Sequence, residues 1–185
     1  MIKIIVFDLM TILNKNNDIK LNTEEKELIK LLEKSKEDYE YLENARKIIK
    51  KDSTIMRITE EIIGKIYCKS ETDLFKRIKD KSENLKIIII ADYVSYIRNF
   101  IGETFNVEYV SDILISAETH KYKQQTKIYE LILDRYNVFP NEVLFVDSNE
   151  ESLHAAMQSG VKTICVKDKS KVYELVSCHI ENDLY

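Results

Sequence analysis

The sequence predicts an α/β protein in which a parallel sheet carries an inserted, all-helical cap, and three observations carry that reading. Four short apolar runs rich in β-branched residues, at 2–7, 86–91, 143–147 and 162–166, have the character of strands buried on both faces. Helical patterns separate the last three of these runs, so strand and helix alternate and the sheet is expected to be parallel with right-handed connections. Residues 20–84 interrupt the alternation with apolar positions at helical spacing throughout.

Each element has its own local reason. Met1-Ile2-Lys3-Ile4-Ile5-Val6-Phe7 enters directly as a strand. Within the insert, Leu28, Ile29, Leu31 and Leu32, then Tyr41, Leu42, Ala45, Ile48 and Ile49, then Ile55, Ile58, Ile62, Ile63 and Ile66 recur at helical spacing, which predicts about four helices. Asn22 with Glu25, and Ser70 with Asp73, have the spacing of helix-start caps. Ile128, Leu131, Ile132 and Tyr136 mark one later helix; Leu153, Ala156 and Met157 mark another, which Gly160 is placed to end. The expected division is a core of residues 1–19 and 85–185 with a helical cap at 20–84, hinged near Asn14–Lys20 and Ser82–Lys86. An insert after the first strand is well placed to act as a lid, because ligands of open α/β sheets bind beyond the carboxyl ends of the strands.

Composition narrows the function classes. Among 185 residues, 44% are hydrophobic and 32% charged, as in a packed domain rather than a disordered chain. Acids outnumber bases 32 to 28, for a net charge of −4, which gives no electrostatic case for a nucleic-acid partner. No apolar run approaches the roughly 20 residues of a membrane span, and the amino-terminal run is too short for a signal peptide. No membrane partner and a cytoplasmic location are the expectations; the oligomeric state is not legible. Cys68, Cys165 and Cys178 lack the close spacing of a zinc or redox site and are expected to be reduced, buried thiols. His120, His154 and His179 are scattered, with no spacing for a metal pair.

Asp8 closes the first strand in Phe7-Asp8-Leu9-Met10-Thr11-Ile12-Leu13, where a carboxylate held close to a cation stays ionised and nucleophilic. This segment resembles the first motif of the haloacid dehalogenase (HAD) superfamily, in which a nucleophilic aspartate opens a D-x-D-G-T-L turn. Residues 113–129, ending in Lys123-Gln124-Gln125-Thr126-Lys127-Ile128-Tyr129, are similar to the stretch leading into the K-P-x-P-x-I-Y motif, with Lys123 and Tyr129 on its lysine and tyrosine. Asn141 to Val161 is similar to E-V-L-F-V-G-D-S-x-x-D followed by A-x-x-A-G-M. The resemblance implies a Rossmann-like core, Asp8 as covalent nucleophile, and Lys123 as the cation that keeps Asp8 charged and offsets substrate charge. It further implies that Asp8, Ala91, Lys123 and Asp147 meet at the carboxyl edge of one sheet.

Departures from the motifs bear on function. Met10 stands at the general-acid position and can donate no proton; Thr11 and Ile12 replace the Gly and Thr that follow. Ala91 and Asp92 stand where a hydroxyl residue and Asn are usual, and Asp92 adds negative charge where an anion would sit. The acids of the fourth motif fall on Ser148 and Ser152, while Asp147 occupies the usual Gly position. Magnesium prefers several oxygen ligands, so no metal or other cofactor is expected. Phe145-Val146-Asp147-Ser148-Asn149 matches the F-V-S-S-N of 2-haloacid dehalogenases except at Asp147. The motif set therefore resembles those enzymes more than magnesium phosphatases, although Ala91 and Ser152 depart from them too, and Arg46 and Arg57 are candidates for their cap arginine. The expected function is a hydrolase acting through Asp8 and Lys123 on a small anionic molecule, supported by Met10, Thr11, Ala91, Asp92, Tyr129, Asp147, Ser148 and Asn149. The alternative is a catalytically degenerate relative that keeps the fold for binding or regulation.

Overall fold

The computed structural model describes residues 1–182. Its centre is a five-stranded parallel sheet of β1 (Ile4–Asp8), β4 (Lys86–Ala91), β5 (Asp112–Ile115), β6 (Val143–Asp147) and β7 (Lys162–Cys165), in the order β5-β4-β1-β6-β7. Alternate residues of the strands face opposite layers. Ile4, Val6, Ile88, Ile90 and Phe145 pack with α7 (Thr126–Tyr136) and α8 (Glu150–Gln158). Ile5, Phe7, Ile87, Ile89 and Val146 share the opposite cluster with the insert, α5 (Ile97–Thr104) and α9 (Val172–Asn182). This two-sided burial is why the strands read as unbroken apolar runs.

The insert holds α1 (Thr23–Leu32), α2 (Asp38–Ala45), α3 (Asp52–Ile66) and α4 (Leu74–Lys81). Asn22 and Glu25 form the expected reciprocal cap at the start of α1. Ser70 and Asp73 do not form a second one: Asp73 precedes α4 in a left-handed conformation (φ 56°) with no side-chain cap bond. Nor is the insert wholly helical, because β2 (Leu13–Lys15) pairs antiparallel with β3 (Tyr67–Lys69). This ribbon ties the chain entering α1 to the chain leaving α3. The helix that follows, α4, lies against α9, with Phe75 packed on Phe7 and Phe105, so it belongs with the sheet layers rather than with α1–α3. The apolar cluster is continuous between the insert and the sheet.

Gly160 ends α8 with φ 78°, as its position suggested. The cysteines depart from expectation: all three are free but exposed rather than buried, sitting on β3, on the edge strand β7 and on the outer face of α9. No described helix is long and apolar enough to cross a membrane.

Candidate active site

Strand β1 is central, and the chain crosses to β4 and β5 on one side of it and to β6 and β7 on the other. A crevice opens at such a switch point, beyond the carboxyl ends of the strands. Asp8 ends β1, Ala91 ends β4 and Asp147 ends β6, so three of the expected residues arrive there by strand register alone. Lys123 reaches the same place from the loop between α6 (Ser116–Thr119) and α7.

The four segments meet as expected. Lys123 Nζ is hydrogen-bonded and ion-paired to Asp8 Oδ1 and lies 3.5 Å from Asp147 Oδ2. Asp8 Oδ2 accepts from the Thr11 amide at 3.0 Å and lies 3.1 Å from the Thr11 hydroxyl, which is also 3.2 Å from Asp147 Oδ1. One hydroxyl thus stands between two carboxylates and can donate to only one at a time. The Ser148 and Asn149 amides donate to Asp147 Oδ1 at 2.6 and 3.1 Å, whereas Asp147 Oδ2 is buried without a hydrogen-bond partner.

The charges follow from this geometry. Burial opposes the ammonium of Lys123, but the adjacent Asp8 and Asp147 carboxylates outweigh it and hold the lysine protonated beyond its ordinary range. Burial, reinforced by the charge of Asp8, pushes the Asp147 carboxyl up to about 6 against the pull of Lys123 and the two amides.

The remaining expected residues are placed as follows. Tyr129 is buried with its hydroxyl 2.8 Å from the Lys123 carbonyl oxygen and 3.0 Å from that of Ser152, so it holds the backbone beneath the lysine. Asp92 is paired rather than loose: it accepts from the Lys123 amide at 3.0 Å and from Lys36 Nζ at 3.2 Å. Met10 is half-buried among apolar side chains, and its carbonyl accepts from Lys169 Nζ at 2.6 Å. Asn149 caps α8 through Ser152, and the side chains of Asn149 and Ser148 lie at the exposed rim. Arg46 and Arg57 turn away to exposed pairs with Asp52 and Glu61.

The insert contributes a polar seam that the sequence did not suggest. Besides Asp92, Lys36 Nζ reaches Gln124 Oε1 at 3.0 Å, and its carbonyl accepts from the Ser116 hydroxyl at 2.6 Å. Glu37 accepts from the Tyr122 hydroxyl and lies 3.1 Å from His120 Nδ1, while Asp38 accepts from the amide and hydroxyl of Ser95. The run Lys34-Ser35-Lys36-Glu37 carries no periodic or motif signal by which to find these residues. Beside the seam lies a cleft of about 420 Å³ lined by Lys34, Lys36, Glu37, Tyr39, Tyr122 and Gln124. Asp8 itself is 2% exposed.

No protein-family model matches the chain, and no curated protein matches it by sequence. Solved structures do. A predicted HAD-like family hydrolase from Porphyromonas gingivalis superposes with a TM-score of 0.72 at 17% identity, covering 98% of each chain. The fold is that of HAD-family hydrolases. A HAD family enzyme from Bacteroides thetaiotaomicron, solved as a magnesium complex, gives 0.71 at 16% identity over 95% of this chain and 98% of that one. An L-2-haloacid dehalogenase from Xanthobacter autotrophicus gives 0.60 at 15% identity over 96% and 83%. Overall shape therefore does not single out the dehalogenases among HAD-fold proteins.

Proposed function

We propose that the protein is a HAD-type hydrolase in which the Asp8 carboxylate attacks a small anionic substrate and carries part of it as a covalent ester. The observation that carries this reading is the buried Asp8–Lys123 ion pair at the switch point of the sheet. A carboxylate attacks as its ionised form, and Lys123 pairs with it while offering positive charge to a departing anion. The Thr11 amide fixes the other carboxylate oxygen, leaving Asp8 little freedom to leave an attacking geometry. Lys36, whose side chain is 43% exposed beside the cleft, adds a second cation on the approach.

The reading disfavours magnesium-dependent phosphoryl transfer. Magnesium prefers about six oxygen ligands, and here the ammonium of Lys123 already lies between the Asp8 and Asp147 carboxylates. Among the described residues no three His, Cys, Asp or Glu side chains gather as a metal set. Met10 offers neither a ligand side chain nor a proton for a poor leaving group.

A release assay for halide and for inorganic phosphate, run with and without magnesium against small haloacids and phosphate esters, tests this. The expected outcome is magnesium-independent turnover of at least one anionic substrate that disappears in Asp8→Asn. Silence across the panel returns the protein to the non-catalytic reading.

A further inference from the structure

We propose that Asp147 is the general base that delivers water to the Asp8 ester, taking the proton-transfer role that Met10 cannot perform. This rests on the covalent reading of Asp8. Asp147 Oδ1 accepts from two amides and lies beside the shared Thr11 hydroxyl, whereas Oδ2 is buried without a hydrogen bond and faces only the Lys123 ammonium at 3.5 Å. A buried carboxylate oxygen without a donor is costly, and such atoms in a well-satisfied site call for a reason. Acceptance of a proton at the reacting centre supplies one.

The other candidates are committed elsewhere. Both oxygens of Asp92 are bonded, one to the Lys123 amide and one to Lys36. The Tyr129 hydroxyl faces two backbone carbonyls, and burial with the nearby Asp147 and Asp92 charges holds its proton firmly. His120 is exposed beside Glu37, and His154 lies on α8 beside Gln158. Asp147 shares the Thr11 hydroxyl and the Lys123 ammonium with Asp8, so water against its Oδ2 is also next to the ester carbonyl. Burial beside Asp8 raises its proton affinity towards neutrality, which suits a base.

For a carbon ester the steps balance as follows. Asp8 forms a bond to the substrate carbon as the leaving group departs with its electron pair as an anion. Water then adds to the ester carbonyl carbon while one of its protons passes to Asp147 Oδ2. The tetrahedral adduct breaks its bond to the bridging oxygen, originally an Asp8 carboxylate oxygen, which takes that proton from Asp147 and leaves in the product alcohol. The second water proton is released to solvent, and Asp8 is a carboxylate again, now carrying the water oxygen.

The experiment uses chloroacetate and bromoacetate in ¹⁸O-labelled water with the wild type, Asp147→Asn and Asp147→Gly, their folding checked by circular dichroism. Adducts are located by peptide mass spectrometry because the three cysteines are exposed to alkylation. The proposal expects label in Asp8 of the wild type, an Asp8 ester that accumulates in both variants, and hydrolysis of that ester slowed about 10²–10⁴-fold. Formate should accelerate hydrolysis in Asp147→Gly and not in the wild type, a rescue that lost packing alone would not give. An ester cleaved at the wild-type rate in Asp147→Asn, or indifference of Asp147→Gly to formate, overturns the role of Asp147 and leaves Asp8 standing. No ester and no label at Asp8 in any of the proteins overturns both.

Discussion

Lys123 and Asp8, 115 positions apart in the chain, form an ion pair that is almost completely shielded from water. The same ammonium faces Asp147, so one cation serves two carboxylates. Removing it strands both, and breaking a buried pair by deleting one partner costs about 3–5 kcal/mol. Lys123→Met is therefore expected to lower stability by that order in urea titrations. Asp8→Asn is expected to cost less, because Lys123 keeps Asp147 as a partner. Equal losses from the two changes would mean that Asp147 does not share the ammonium.

Thr11 is the second link between the carboxylates. Thr11→Val keeps the shape and the amide but removes the hydroxyl between Asp8 and Asp147. Both carboxylate oxygens keep their amide donors, so what is lost is a single hydrogen bond to a charged group, worth about 1.5–3 kcal/mol, and Thr11→Val should be destabilised within that range while Thr11→Ser stays near the wild type. Equilibrium denaturation of the three proteins reads the difference directly.

Asp147 makes stability depend on pH in a defined direction. Its folded-state value is raised by burial and by Asp8 from 3.8 to about 6. The associated stability is fully present below the unfolded value and is lost as pH climbs through the folded one. Asp147→Asn cannot ionise there. Its stability relative to the wild type should therefore improve between about pH 4 and pH 6 and level off above. A difference that is flat across this window would place the Asp147 carboxyl at an ordinary carboxylate value.

The polar seam from Lys36 to Asp38 is expected to act as the fastening of the insert over Asp8. Asp38→Ala removes both acceptors of Ser95, and hydrogen bonds to a charged group are worth about 1.5–3 kcal/mol. Hydrogen exchange should then quicken across residues 34–45, with protection of β1 and β6 retained. If exchange in this segment is unchanged, α1–α3 are a fixed cover rather than a lid, as their continuous apolar contact with the sheet would allow.

Restoring carboxylates should restore a metal site. The double change Met10→Asp with Ser148→Asp puts new acids two residues after Asp8 and one after Asp147, and magnesium binding measurable by calorimetry is expected in the double variant and not in the natural protein. Phosphatase activity gained by the double variant should grow further with Asp92→Asn, which removes a negative charge beside the site. Robust magnesium-stimulated turnover by the unmodified chain would contradict the metal-free reading.

The sequence by itself determined the layers, while the meeting of Asp8 with Lys123 was legible only through the resemblance of its segments to the HAD motifs. Strands buried on both faces must be continuously apolar, and the resemblance to the HAD motifs implied that Asp8, Ala91, Lys123 and Asp147 lie together at the carboxyl edge of the sheet. It missed β5, whose Asp112 and Ile113 are only half-buried, and the three-residue ribbon β2–β3, too short to show a period. It also assigned α4 to the cap, because an amphipathic helix looks the same whichever apolar surface it covers. Tertiary structure alone decided that Asp92 is paired with Lys36, that Lys169 seizes the Met10 and Leu13 carbonyls, and that one oxygen of Asp147 has no hydrogen bond. Periodicity records which face of an element is buried, a property of neighbours in the chain. Polar pairing is set by where long, flexible side chains from distant segments come to rest once the apolar layers have packed.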